Sequence, residues 1–296
     1  MGKSLKKNYL EFTRMLDEIE IFEKEFDCKP SFSIELSARA VNYLDIHNPY
    51  VLERMHRLGF DMIQVGFEDI LSKDTSDVAG MNKSDQYENE NAVSALNNAG
   101  IATLAMLICS TKHYKPGDAQ KMVEKANDLG ISVVQLFSEQ AHEGTRATEQ
   151  HREKQRCLYQ LAPQLFDREY RDLAYGLENG EIVTTRPENI SMLGMQLEIL
   201  DAIVSFNSWK NHLKRLYKEI RDKGLRTGIY SVGLPMIFQS GVARDIKNWL
   251  INEKIKEKEG KSVNYLDVLA EIDNRYRNEN DTIELIRKYG LNIPTP

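Results

Sequence analysis

The chain has 296 residues, 41% of them hydrophobic and 28% charged, with a formal net charge of −6. That length suffices for one large domain or two ordinary ones with a sizeable core. The acidic balance offers no basic field for nucleic acid, and no apolar run approaches the roughly 18 residues a membrane span needs, so neither is an expected partner.

From the amino terminus, MGKSLKKNYLEF has basic residues with no apolar core after them and is not a secretory signal. Residues 5–27 place Tyr9, Leu10, Phe12, Met15, Leu16, Ile19 and Phe22 at helical spacing opposite a charged face. SFSIEL (31–36) reads as a strand. Asn48 and Pro49 fit the N-cap and first position of a helix over PYVLERMHRL, which Gly59 stops. DMIQVGFE (61–68) is a second strand. The unit then repeats: helix 88–100 closed by glycine, strand 101–109, helix 117–130 closed by glycine, strand 131–137. Immediate helix–glycine–strand joints and near-continuous apolar strands indicate parallel βαβ units whose strands are buried on both faces. Residues 1–140 are therefore expected to form an α/β unit of parallel strands. Residues 141–296 form a mainly helical extension, with a long amphipathic helix or helix pair over 192–224 and a short apolar stretch at 227–238.

In parallel α/β sheets ligands lie at the carboxyl ends of the strands, where loops diverge and helix N-termini point. Here those ends carry Glu35, Ser37 and Arg39; Gly66, Glu68 and Asp69; Cys109, Ser110, Thr111, Lys112 and His113; and Ser138, Glu139 and His142. For any single residue a solvated loop is the simpler reading. The signal is that four successive strands deliver polar groups to one rim. The cysteines Cys28, Cys109 and Cys157 form no pair with metal-ligand spacing and read as reduced thiols of a cytoplasmic protein. His142 and His151 lack a carboxylate–histidine pattern, so no metal site is expected. Cys109 as a nucleophile has only His113, four residues on, as a base. No glycine-rich phosphate loop is present.

Taken in order, SIELSARA (33–40), PYVLERMHRLGF (49–60), IQVGFED (63–69), AGMNKSD (79–85), AVSALNNAGI (92–101) and LICSTKHYKPGD (107–118) resemble the later barrel strands of radical S-adenosylmethionine enzymes, in particular the branch that also carries a cobalamin domain. HEGTRATEQ (142–150) stands where that branch has a "P.PGT" segment, and SMLGMQLEILDAIVSFNSW (191–209) is similar to its helical extension. The resemblance implies a partial (β/α) barrel. It places Glu68 on the rim of the S-adenosylmethionine pocket with Gly66, Glu35, Arg39 and Ser110 around it, and makes Lys83 the lysine of the "nK" element. The family's CxxxCxxC loop, which binds a [4Fe–4S] cluster, is absent, and the three dispersed cysteines supply no substitute. No cobalamin-binding domain is present either, which leaves cobalamin dependence open.

Three functional readings follow. The chain is the later part of a radical S-adenosylmethionine-type enzyme, inactive alone, whose open sheet edge is covered by a cluster-bearing polypeptide or by a second copy. It is a cluster-less, non-catalytic binding or scaffold subunit that docks through its long helix, with Lys210, Lys214 and Arg215 as the charges that matter. Or it is an unrelated lyase, isomerase or hydrolase using Glu68 with Glu35 or His113 as acid and base.

Overall fold

The computed structural model describes residues 3–48, 50–71, 86–140, 145–161, 182–233, 265–275, 283–284 and 287–288. Helix α1 (Lys3–Phe26) leads into strand β1 (Phe32–Ser37), helices α2 (Ala38–His47) and α3 (Tyr50–Arg57), and strand β2 (Phe60–Glu68). Helix α4 (Gln86–Asn98), strand β3 (Ala102–Cys109), helix α5 (Asp118–Leu129) and strand β4 (Val133–Ser138) complete the α/β part. Next come α6 (Arg146–Glu153), α7 (Leu158–Leu161), α8 (Met192–Phe206), α9 (Trp209–Thr227) and α10 (Tyr265–Arg275). Pro49, Lys83 and His142, residues 234–238 of the 227–238 stretch and residues 251–262 lie outside the described residues.

The four strands form one all-parallel sheet in the order β1-β2-β3-β4. Sequential order with helical crossovers, right-handed as such connections are, puts the crossover helices on one face. Alternating strand residues follow suit. Ile63, Val65, Phe67, Leu107, Val134 and Leu136 join a single buried cluster with Val41, Leu52, Met55, Leu96 and Met122 from the helices. That cluster also takes in Leu193, Leu197 and Leu269, so the core continues past residue 140 into α8 and α10.

The second face of the sheet is only partly covered, which departs from the expectation of strands buried on both sides. At its amino-terminal end Ala102, Leu104 and Val133 make a small buried cluster with Met62 and Met106. The rest of this face is polar. Ser33, Glu35 and Ser37 are exposed, while Gln64, Gly66, Glu68 and Gln135 are half-buried. Among the described residues β1 is an edge strand, and α1 does not cover its free side. Instead α1 packs over the helices, with Leu16 fully buried, Tyr9 edge-on to Tyr43, and Arg54 of α3 donating to Asp17 and Glu20.

Two joints show why the local sequence folds this way. Gly59 sits at φ +97°, and a Cβ there would lie 2.0 Å from the Pro30 carbonyl oxygen, so no other residue fits the turn that starts β2 beside β1. The SARA segment starts a helix that the sequence reading did not anticipate: Ser37 Oγ accepts from the Ala40 N–H at 3.2 Å and caps α2.

The expected helix pair over 192–224 is present, broken at Asn207 and Ser208. α8 is capped twice: Ser191 Oγ accepts from the Gly194 N–H, and Asp273 accepts from the Met192 and Leu193 N–H groups at 2.9 and 3.0 Å. α9 runs under the amino ends of the strands with an inverted face. It buries His212, Arg215, Glu219 and the side chain of Lys223 and exposes Trp209, Leu213 and Tyr217. The buried side is polar because it meets groups that need partners. Lys223 Nζ donates to the Ile101 carbonyl at 3.0 Å, and Glu219 accepts from Ser132 Oγ at 2.9 Å. Arg215 lies over the Phe206 ring and donates to Asn127 Oδ1. This corrects the expectation that Arg215 is a surface charge available for docking.

Candidate functional site

The carboxyl ends of the four strands divide into two unlike halves. At the β3–β4 half, Glu139 gathers the chain around itself. Its Oε2 accepts from the Thr111 N–H (2.8 Å), Thr111 Oγ1 (2.9 Å) and Ser110 Oγ (3.3 Å), and its Oε1 faces His151 Nε2 at 3.2 Å. Burial alone would raise the Glu139 carboxyl, but His151 and Thr111 outweigh it and hold the group below its ordinary range. Around this knot Arg156 donates through Nε to the Arg186 carbonyl, through Nη1 to Glu188 and through Nη2 to the Thr111 carbonyl. Ser138 Oγ donates to the Ile182 carbonyl. A carboxylate whose oxygens already take four donors is a clasp: it joins the loop after β3 to the loop after β4 and has little capacity left to accept a substrate proton.

Cys109, the last residue of β3, is buried, and burial pushes its thiol well above the ordinary range. His113 stands exposed in the loop beyond. Cys109 therefore lacks what an activated nucleophile needs. The loop is pinned again at Tyr114, whose hydroxyl donates to Glu198 of α8 at 2.9 Å.

The β1–β2 half is different. Glu68, the final residue of β2, has φ +63°, a left-handed backbone that a non-glycine residue rarely adopts. The register with β3 slips between Gly66 and Glu68, which re-aims the side chain at the strand end. Glu68 Oε1 folds back to 3.2 Å from the point a Cβ on Gly66 would occupy, so the glycine keeps that space clear. Asp69 is a turn former: its Oδ1 accepts from the Leu71 N–H at 2.7 Å.

Glu35 lies on the same face of the sheet as Gln64, its register partner. Arg39 is the second residue of α2 and reaches across to Glu88 of α4 at 3.5 Å, a largely exposed pair. The structure thus brings Gly66 and Glu68 together at the mouth, gathers Ser110 and Thr111 onto Glu139, and leads Arg39 away to the helix layer. Glu35 and Glu68 do not form an acid–base couple. Glu35 is level with Gln64, and Glu68 stands four residues further on, about 13 Å along the strand at the usual rise.

Arg156 and Glu188 were not legible as rim residues. They reach the strand ends from loops remote in sequence, and neither stands in a recognisable motif. In the sequence His151 stands out only as a metal-ligand candidate beside His142. Among the described residues no group of three His, Cys, Asp or Glu side chains is placed to hold a metal ion, and none of the described helices is long and apolar enough to cross a membrane. No protein-family model matches the chain, and no curated protein matches it.

Proposed function

We propose that the four strands are part of a (β/α) barrel of the radical S-adenosylmethionine type, and that Gly66 and Glu68 form the rim that holds S-adenosylmethionine. The observation that carries this reading is the Glu68 carboxylate, held in a left-handed backbone over a glycine at the carboxyl end of β2. A carboxylate so placed suits the ammonium or ribose hydroxyls of the cofactor, and Gly66 lets the ligand approach the backbone. Sequential parallel order, a partly open polar face and an unpaired β1 edge among the described residues agree with a barrel segment completed by another polypeptide. When bound beside a cluster, S-adenosylmethionine supplies hydrogen-atom abstraction.

The cluster does not fit the thiols of this chain. Cys28 precedes β1 at the amino end of the sheet, Cys109 closes β3 at the opposite end, and Cys157 is buried beyond α6. The role of the chain is accordingly to bind and orient the cofactor while a partner supplies the cluster. A cytoplasmic setting follows from such a cofactor.

Equilibrium dialysis with radiolabelled S-adenosylmethionine tests the reading. Saturable binding is expected, competed by S-adenosylhomocysteine and weakened on the order of tenfold by Glu68→Gln with the circular dichroism spectrum unchanged. Absence of saturable binding, or binding indifferent to Glu68→Gln, refutes it.

A further inference from the structure

Two helices on different parts of the fold carry matching exposed surfaces. On α9, Trp209, Leu213 and Tyr217 stand four residues apart and form one stripe, with Trp209 75% and Tyr217 68% exposed. Lys210, Lys214 and Lys218 follow them one position on, so a basic ridge runs alongside the apolar stripe. The opposite side of α9 is already committed, through Glu219 and Lys223 to the sheet side of the fold and through Arg215 to α5.

On α1 the pattern is the same with the charge reversed. Ile21, Phe22 and Phe26 are exposed, and the rings of Phe22 and Phe26 lie 4.6 Å apart. Glu18 and Glu25, seven residues apart and both exposed, make an acidic ridge beside them, with Arg14 the exposed basic residue one turn before Glu18. The inward side of α1 is committed to α2 and α3 through Leu16, Tyr9 and the Arg54 pairs.

We propose that these surfaces are the two halves of one self-association interface: the outer face of α1 on one copy docks against the outer face of α9 on a second copy. Charge complementarity selects this occupant. An apolar–acidic helix face and an apolar–basic helix face bury each other's aromatic side chains while their ridges pair, and each chain carries one of each. The contact is head-to-tail, so it closes into a ring or extends as a chain according to the rotation between copies. The two aromatic groups, Trp209 with Tyr217 and Phe22 with Phe26, are its anchors. This inference is independent of the cofactor reading above.

Sedimentation velocity over a wide concentration range tests it. The native chain is expected to associate reversibly, less so at high salt. Glu18→Lys with Glu25→Lys, or Lys210→Glu with Lys214→Glu, is expected to raise the concentration for half-association on the order of tenfold or more. A chain carrying all four changes has the charges exchanged and is expected to recover association, as is an equimolar mixture of the two double variants. Recovery of this kind cannot arise from misfolding. A native chain that stays monomeric throughout overturns the proposal, as does association that neither double variant weakens. Binding of a monomeric chain to vesicles of phosphatidylserine and phosphatidylcholine through Trp209 and Tyr217 also overturns it.

Discussion

Replacing Glu139 tests whether the rim at β3–β4 is a clasp. Glu139→Ala leaves the Thr111 N–H, the Thr111 and Ser110 hydroxyls and His151 without their common acceptor. A buried donor left unmade costs about 1–3 kcal/mol. Glu139 keeps 16% side-chain exposure, so water recovers part of the loss and the sum falls to about 3–4 kcal/mol. In a chain of this size that lowers the melting temperature by about 5–6 °C. Glu139→Gln keeps an oxygen for Thr111 and loses only the charge assistance, so about 1–2 kcal/mol is expected. The pH dependence has a definite sign. The folded-state carboxyl is held below 4.5, so its contribution is present above that range and is lost as the pH falls through the lowered value. Glu139→Gln removes this acid-side loss. Urea titrations followed by far-ultraviolet circular dichroism at several pH values measure both effects. An alanine variant that costs less than about 1 kcal/mol, or a glutamine variant as damaging as alanine, would refute the clasp.

Further outcomes follow from single residues. Gly59→Ala places a Cβ 2.0 Å from the Pro30 carbonyl oxygen at φ +97°, and a loss of about 3 kcal/mol or more is expected in the same titration. Asp273 is lifted to about 6 by burial in spite of its two N–H donors. The folded chain therefore holds that proton more tightly than the unfolded one, and stability from this group is lost as the pH rises through about 6. Asp273→Asn lacks this loss, so its stability relative to the native chain should rise by about 2 kcal/mol between pH 4 and pH 7, and an unchanged gap would refute the assignment. Cys28 is exposed while Cys109 and Cys157 are buried, so a thiol reagent should modify one cysteine quickly and the other two only on unfolding.

The βα rhythm was legible because each strand is a short apolar run closed off by a glycine-ended helix, and β1 to β4 all appear close to where that pattern puts them. α2 was not, because SARAVNYLD carries its helix signal in one capping serine that also reads as the polar end of a strand. α9 misled for a physical reason. Apolar residues at helical spacing ordinarily turn inward, yet Trp209, Leu213 and Tyr217 are exposed, because beneath α9 lie the Ile101 carbonyl and Ser132 hydroxyl, met by Lys223 and Glu219, and Asn127 of α5, met by Arg215. The candidate site divides along the same line. Gly66 and Glu68 adjoin in sequence and could be singled out together, whereas the Glu139 knot assembles partners up to 29 positions away and Arg156 joins it through a carbonyl 45 positions distant. Pairing of that kind leaves no local pattern.

The central claim is that the carboxyl end of β2 is where S-adenosylmethionine binds. Photolabelling with an azido derivative of S-adenosylmethionine, followed by peptide mapping, locates the site directly. Label on the peptide containing Gly66 and Glu68, suppressed by unmodified S-adenosylmethionine, is the predicted result. Label confined to α8, α9 or α10, or none that S-adenosylmethionine suppresses, would contradict it.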